Sequence, residues 1–282
     1  MIIDLHTHLS LEKHFIGDTF FREIERGGGN PENFISTYSR HEEKNLSQVD
    51  KSVVFGLKAE ASGWVVPNEF IAGYVEKHPD KVIGFASVDP NRKNAADELK
   101  YCIKELQLKG LKLGPIYQHF NPQDKKKCYP IYEICEQYQI PIMWHMGTSF
   151  VREGLLEDTR PCLLEQVALD FPQLKMIVAH MGHPWEDETI VMIRKQPNIY
   201  ADISALYYRP WQFYNTMVLA SEYKVTDKIF FGTDFPVTTP GDTITGIKAI
   251  KKFWQGTNLP QISDSILEGI INRDSLKLLG LD

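Results

Sequence analysis

The chain alternates short apolar runs with longer stretches in which apolar residues recur every three or four positions. The short runs are rich in Val, Ile and Phe, as expected of parallel strands that are buried on both faces. The longer stretches have the period of amphipathic helices; in 95–107, for example, Leu99, Ile103 and Leu106 fall on one side. The predicted strands are 2–8, 52–57, 82–88, 110–113, 141–145, 175–180, 199–203 and 228–233.

A predicted helix follows each of the later strands, at 68–77, 95–107, 130–139, 161–170, 186–195, 212–223, 243–253 and 261–279. Repeated strand–helix pairs in a chain of 282 residues predict a (β/α)₈ barrel, which needs about 250 residues. A doubly wound open sheet is the alternative, but no glycine-rich nucleotide or phosphate loop is present. Without a linker or repeat, we expect one domain over 1–282.

Residues 9–30 interrupt this alternation. They show no regular period, contain Gly27, Gly28 and Gly29, and follow the first predicted strand directly. In a barrel, the loop after a strand lies at the catalytic face. We therefore expect this insertion to form a wall or lid over a site, or else a tolerated surface loop.

Composition narrows the class of protein. The net charge of −6 argues against a nucleic-acid partner, and no apolar run reaches the roughly 18 residues of a membrane span. The four cysteines are scattered without metal-knuckle spacing, and the N-terminus does not resemble a signal peptide. We expect a cytoplasmic enzyme with a small-molecule substrate, and the sequence leaves a homo-oligomer open.

Histidines and an aspartate cluster at the ends of the predicted strands. His6 and His8 share one face of the first strand, because side chains alternate along a strand. His145 and His180 end the fifth and sixth strands, and Asp234 ends the eighth. Barrel active sites form at the carboxyl ends of the strands, so these five side chains are expected to meet there.

Their chemistry points to a metal site. His6, His8 and His145 can supply nitrogen donors and Asp234 a carboxylate, which leaves one metal position open for water or substrate. A bound divalent ion lowers the pKa of its water to about 7. Asp234 could then take a proton from that water and return it to a leaving group. His180 could be a further ligand or could polarise a substrate oxygen.

Together these motifs resemble the amidohydrolase superfamily, and more narrowly the amidohydrolase-related branch that includes aminocarboxymuconate-semialdehyde decarboxylase and related hydrolases. The resemblance extends from Ile2 to about Pro236, and it rests on Asp4-x-His6-x-His8, His145, Ala179-His180-Met-Gly and Gly232-Thr233-Asp234-Phe-Pro. It implies a distorted (β/α)₈ barrel with one or two divalent metals, commonly zinc or manganese. It also implies the same ligands, His6, His8, His145 and Asp234.

Lys112 is an unexpected cation on the fourth predicted strand. In binuclear members of the superfamily a strand-four lysine is carboxylated and bridges two metals, and the resemblance raises that role for Lys112. His145 and His180 would then bind the second metal, and His6, His8 and Asp234 the first. Otherwise Lys112 is a buried cation paired with an acid, for which Asp89 is a candidate. We favour one ion, most readily zinc, over two.

Several further residues could contact the substrate. Tyr117 and Trp185 follow predicted strand ends and could shape a pocket, and Arg152 could hold a carboxylate through its planar fork.

The sequence favours a metal-dependent hydrolase that acts on a small ester, lactone or amide with metal-activated water. The alternative is a metal-dependent, non-oxidative decarboxylase, a carboxy-lyase that uses the same ligands. A carboxylated Lys112 would favour hydrolysis. A metal-binding scaffold without catalysis is a third hypothesis, against which Asp234 argues, because a ligand that also accepts protons exceeds what storage requires.

Overall fold

The computed structural model describes residues 1–11 and 15–281. Within these ranges, eight parallel strands form one sheet in which each strand pairs with the next along the chain. This order confirms the predicted barrel and excludes the doubly wound sheet, whose strand order reverses at a switch point. The strands are β1 Ile3–His8, β2 Lys51–Phe55, β3 Val82–Ser87, β4 Leu111–Leu113, β5 Ile142–Trp144, β6 Met176–Val178, β7 Ile199–Asp202 and β8 Ile229–Phe230.

The residues that follow β8 close the sheet against β1. The Leu5 amide donates to the Phe231 carbonyl at 3.1 Å, and the Asp234 amide donates to the His6 carbonyl at 2.9 Å. The Asp4 carboxylate adds a side-chain link, because it accepts hydrogen bonds from the amide and the hydroxyl of Thr233 at 3.0 and 2.6 Å. This junction brings the ends of the first and last strands side by side.

Helices follow the strands around the outside of the barrel. They are α1 Asp18–Arg26, α2 Tyr38–His41, α3 Asn68–Lys77, α4 Ala95–Lys104, α5 Pro115–Gln118, α6 Lys125–Gln137, α7 Leu163–Asp170, α8 Glu186–Lys195, α9 Pro210–Glu222, α10 Pro240–Ala249, α11 Asp264–Ile271 and α12 Ser275–Leu279. No helix in the described part of the chain is long and apolar enough to cross a membrane.

Several predicted helices differ in their bounds, and a capping aspartate explains two of the differences. The helix predicted at 130–139 begins at Lys125, because the Asp124 side chain caps the amides of Lys126 and Lys127. The helix predicted at 261–279 is two helices, α11 and α12, separated at residues 272–274. In α12, the Asp274 side chain accepts from the Lys277 amide and so starts a new helix.

The insertion at 9–30 is less irregular than its sequence suggests, since α1 occupies residues 18–26. Phe20 and Ile24 are buried on one side of α1, four residues apart, as in any amphipathic helix. The helix has only nine residues, and two buried apolar positions are too few to show a helical period in the sequence. Residues 12–14 of the insertion lie outside the described residues.

The barrel interior is a separate apolar cluster. Inward-facing side chains such as Leu5, Phe55 and Phe85 fill it, and Leu276 and Leu279 from α12 join it. Because α12 also contacts β1, the last helix of the chain closes the amino-terminal end of the barrel.

This packing predicts the effect of shortening α12 side chains. Leu276→Ala should lower the free energy of unfolding by about 2–5 kcal/mol, because it removes apolar area and leaves a cavity. Leu278→Ala is the matched control on the same helix; its side chain is 39% exposed, and we expect a change within about 0.5 kcal/mol. Urea unfolding monitored by circular dichroism measures both, and equal losses would contradict the role of α12.

A buried histidine fixes the outer side of β1. The Thr7 hydroxyl donates to the Val53 carbonyl at 2.7 Å, so the His41 Nε2–H donates to Thr7 at 3.0 Å. The Tyr74 hydroxyl then donates to His41 Nδ1, also at 3.0 Å. The imidazole is therefore neutral, and burial, together with the charge of His78, lowers the pKa of His41 to about 3.

The lowered pKa of His41 predicts a pH dependence of stability. Below pH 6.5 the unfolded chain binds a proton at His41 that the folded protein takes up only near pH 3, so stability falls as the pH drops through this window. The loss is about 1.4 kcal/mol per pH unit. His41→Gln should show a shallower slope of unfolding free energy between pH 4 and 6. Parallel profiles for the two proteins would exclude this coupling.

Candidate metal centre

Three side chains at the junction of β1 and β8 point their donor atoms at one place. His6 Nε2 and His8 Nε2 lie 3.3 Å apart, and they lie 3.2 and 3.3 Å from Asp234 Oδ1. Donors bound to one zinc ion at 2.0–2.1 Å with tetrahedral angles are about 3.4 Å from each other. The spacing and the chemistry of these donors therefore fit a shared divalent ion. Asp4, which strand alternation places on the same face, bonds to Thr233 instead.

His180 is the next histidine that the structure brings to this group. Donor atoms of His6, His180 and Asp234 all lie within 4.8 Å of one another. His145 faces the same space, with its ring centroid 5.2 Å from that of His180. Its Nε2, however, donates to the Thr148 carbonyl at 3.0 Å, so this nitrogen carries a proton in the observed orientation. A His145 ligand would require its ring to turn.

A second layer of polar groups sets the histidine tautomers. The Nδ1–H of His6 donates to Asp202 Oδ2 at 2.9 Å, which leaves Nε2 unprotonated for a metal. The Nδ1–H of His180 donates to the Ser204 hydroxyl at 2.8 Å, and this hydroxyl donates to Asp202. The sequence argument missed Asp202 and Ser204. Asp202 carried the same signal as the ligands, because it is a charged residue at the end of an apolar strand.

The backbone of the turns that follow β6 and β8 adopts unusual conformations at the residues of this group. His180, Met181 and Asp234 have φ angles of 54°, 53° and 62°. Non-glycine residues seldom adopt this left-handed region, and such residues concentrate at functional sites because the surrounding structure must hold them there. The Asp234 amide is held by the His6 carbonyl, and the His180 amide donates to Asp202 at 3.0 Å.

Burial gives His8 and His180 the neutral state that metal binding requires. It lowers the pKa of His8 to about 3 and that of His180 to about 4, so both are neutral at pH 7. Burial opposes the ionisation of Asp234, but the neighbouring imidazoles of His180, His6 and His8 outweigh it and hold the pKa of Asp234 well below its usual range. Neutral imidazoles beside a carboxylate are the usual donors of a zinc site.

Lys112 reaches the same group from β4. Its Nζ lies 3.4 Å from His6 Nε2 and 4.6 Å from the centre of the Phe55 ring, and the side chain is buried. Burial lowers the pKa of Lys112 to about 8, and the charges of Asp234 and Asp202 limit that drop. The suggested pairing with Asp89 is not observed, because the Asp89 carboxylate accepts hydrogen bonds from Asn91.

Above the donor group lies a cavity of about 420 Å³, which we call the upper cavity. It is defined by residues from the metal centre, the loop after β5 and the loop after β7: His145, His180, Asp234, Thr148, Phe150, His183, Tyr208 and Arg209. Arg26 and Gly27 at the end of α1 also line it, so the insertion at 9–30 contributes to its wall.

The predicted substrate-binding residues are distributed unevenly around this cavity. Tyr117 lines it and packs its ring against His145, with centroids 4.7 Å apart. Arg152 is exposed, and Trp185 lies under the Arg160 guanidinium; neither is among the residues that line the upper cavity. Arg209 lines it and was missed, because a loop arginine carries no periodic signal in the sequence.

A family comparison identifies the protein class. The sequence model described as amidohydrolase matches residues 3–281, which is nearly the whole chain. The chain belongs to the amidohydrolase family. This assignment confirms the superfamily that the motifs at the strand ends suggested. No curated protein matches this amidohydrolase in sequence.

Solved structures share its fold at low identity. An uncharacterized TIM-barrel protein from Bordetella bronchiseptica has a TM-score of 0.74 and 21% identity, over 99% of this chain and 98% of its own. A dihydroxybenzoic acid decarboxylase from Polaromonas sp., solved with manganese and the inhibitor 2-nitroresorcinol, has a TM-score of 0.62 and 17% identity, over 99% of this chain and 97% of its own. A probable 2-pyrone-4,6-dicarboxylic acid hydrolase from Acinetobacter baumannii, with citric acid bound, has a TM-score of 0.62 and 16% identity, over 99% of this chain and 99% of its own.

The donor geometry predicts the effect of removing ligands from the amidohydrolase. The double variant His6→Ala/His8→Ala should lose tightly bound metal, because it removes two of the three donors whose mutual distances of 3.2–3.3 Å fit one shared ion. Asp202→Asn should weaken metal binding by about 10–100-fold, because His6 then loses its charged partner. Metal analysis after gel filtration, with competition against a chelator, measures both.

The control is His78→Ala, which removes a partly exposed histidine that pairs with Glu42 outside the centre. It should retain the metal content of the parent protein. Full metal content in the His6/His8 double variant would rule out these ligands.

Proposed function

We propose that this amidohydrolase is a metal-dependent, non-oxidative decarboxylase that acts on a small planar carboxylate. The observation that carries the proposal is that one cavity joins the metal donor group to Arg209, which forms no ion pair with any carboxylate among the described residues. The fold of a manganese-containing dihydroxybenzoic acid decarboxylase supports it, as does the likeness to 5-carboxyvanillate and 2,6-dihydroxybenzoate decarboxylases.

Arg209 is suited to hold a carboxylate. Its guanidinium stacks 4.7 Å from the centre of the Tyr208 ring, and its Nη1 donates to the Ala205 carbonyl. Among the described residues it forms no ion pair with a carboxylate, whereas Arg26 on the same cavity pairs with Glu23 at 2.8 Å. A guanidinium that is held in place but electrically unpaired can give a substrate carboxylate two parallel hydrogen bonds.

One divalent ion is proposed for the centre, held by His6, His8 and Asp234 with His180 or a turned His145. Zinc suits this nitrogen-rich set, and the manganese of the similar decarboxylase makes that metal the second choice. When bound, the ion would supply positive charge that draws substrate oxygens and stabilises the negative charge that develops on them.

The residues of the chain account for the remaining chemistry. In decarboxylation the bond between ring carbon and carboxyl carbon breaks, CO₂ leaves, and the electron pair stays on the ring carbon until a proton arrives. Asp234 and His180 line the upper cavity and are the groups placed to carry that proton. Phe150 and Tyr117 line the cavity with aromatic rings, which suit a planar substrate and would reduce the access of water.

Hydrolysis remains the second candidate because of Lys112. Its Nζ lies within 3.4 Å of a metal donor, and a pKa near 8 leaves part of the amine neutral, which is the form that adds CO₂. A carboxylated Lys112 could bridge a second metal and would favour attack by hydroxide on a lactone or ester. We propose the unmodified lysine and one ion.

The assay for this proposal compares two reactions in the protein loaded with zinc or manganese. Dihydroxybenzoates should release CO₂, whereas 2-pyrone-4,6-dicarboxylate should remain closed. Arg209→Met should raise KM for the carboxylate by about 10–100-fold, because hydrogen bonds between charged groups are lost. Arg152→Met is the matched control on the exposed part of the loop after β5, and it should behave as the parent protein.

Ring opening without CO₂ release would overturn decarboxylation in favour of hydrolysis. The same preparation reports the state of Lys112: two metals per chain, with the mass of one added carboxyl group, would contradict the single-ion centre.

A further inference from the structure

A histidine and a glutamate outside the metal donor group form a pair on the wall of the upper cavity. His183 Nδ1 lies 2.9 Å from Glu186 Oε1, and both side chains are close to 90% buried. Glu186 is the first residue of α8, where the helix dipole favours a carboxylate. His183 lines the upper cavity together with His180 and Asp234.

The structure holds the His183 backbone on both sides. Its amide donates to the His180 carbonyl at 2.9 Å, and its carbonyl accepts from the Thr148 amide at 2.8 Å. Gly147 permits this approach, because a Cβ at that position would come within 2.0 Å of the His183 carbonyl oxygen and the φ of Gly147 is +102°. The loops after β5 and β6 are therefore locked together at His183.

The two ring nitrogens of His183 have different surroundings. Nδ1–H donates to Glu186, which leaves Nε2 as the acceptor of a neutral imidazole. Within the described residues Nε2 has no hydrogen-bond partner, and it is not one of the buried polar atoms sealed away from solvent. A histidine that served only to join the turn to α8 would not need a ring nitrogen left open to solvent.

We propose that His183 Nε2 accepts a hydrogen bond from a hydroxyl group of the substrate, and that Glu186 positions the ring for this contact. The occupant is a hydroxylated planar carboxylate whose carboxylate faces Arg209 and the metal donors. This inference rests on the proposed substrate class of the same cavity, and it adds the requirement for a hydroxyl that can donate.

Probe binding to the metal-loaded protein tests the proposal without turnover, because the probes carry a nitro group in place of the carboxylate, as the inhibitor 2-nitroresorcinol does. They are the four nitrobenzenes with one hydroxyl at position 2 and a second at position 3, 4, 5 or 6, and each is matched to the ether in which the second hydroxyl is methylated. An ether oxygen cannot donate a hydrogen bond. The parent protein should therefore bind at least one dihydroxy probe about three- to tenfold more tightly than the matched methyl ether. Titration calorimetry measures the ratio.

His183→Ala should remove this preference and leave the affinity for the ether unchanged. His183→Gln should restore part of it, because the glutamine amide oxygen can accept. Glu186→Ala should reduce the preference, and the double variant His183→Ala/Glu186→Ala should equal His183→Ala, since Glu186 acts through the ring. Asp187→Asn, which changes an exposed carboxylate on the same turn of α8, is the control and should retain the preference.

A second readout follows the ring itself. Nitrogen-15 resonances of His183 should show Nδ1 protonated and Nε2 as an acceptor, with Nε2 shifting when the preferred probe binds. A parent protein that shows no preference among any of the four pairs, or an unshifted Nε2, overturns the proposal. Because none of these measurements depends on CO₂ release, a failure of the decarboxylase assignment appears separately, as a protein that binds the probes but releases no CO₂ from dihydroxybenzoates.

Discussion

The closure of the barrel between its first and last strands is the constraint on which the site depends. The hydrogen bond from the Asp234 amide to the His6 carbonyl and the bonds between Asp4 and Thr233 hold these chain ends together. Because the Asp234 amide and the His6 carbonyl share a backbone hydrogen bond, the two residues cannot separate without opening the sheet. The barrel thus fixes the backbone that carries the candidate metal donors.

Maintaining this centre is energetically demanding, because it concentrates charge in a buried volume. Asp202 and Asp234 lie beside Lys112 and His6 with little solvent contact, and each is held by hydrogen bonds or by an opposite charge. An unpaired buried charge costs several kcal/mol, so the removal of one member leaves its neighbours unsatisfied. The hydrogen bonds of Ser204 with Asp202 and His180 extend the same network across β7 and β6.

Different loops contribute different side chains to the upper cavity. The turn after β6 carries His180 and His183, the loop after β7 carries Arg209, and α1 adds Arg26 from the insertion at 9–30. The loop after β7 and α1 lie outside the barrel ladder, so substitutions there can change specificity without altering the residues of the candidate metal centre. Two groups distinguish this cavity chemically. Within residues 1–11 and 15–281, the Arg209 guanidinium has no carboxylate partner and His183 Nε2 has no hydrogen-bond partner.

The sequence by itself determined the barrel and the placement of five potential donors at strand ends, because strand and helix periods are local properties and parallel strands end at one face. Only the tertiary structure decided which nitrogen of each ring faces the centre, since Asp202 and Ser204 are about 200 residues from His6 in the sequence. It also decided that Arg209, and not Arg152, lines the cavity. Loop side chains follow no period, so their positions depend on long-range packing that a local pattern does not encode.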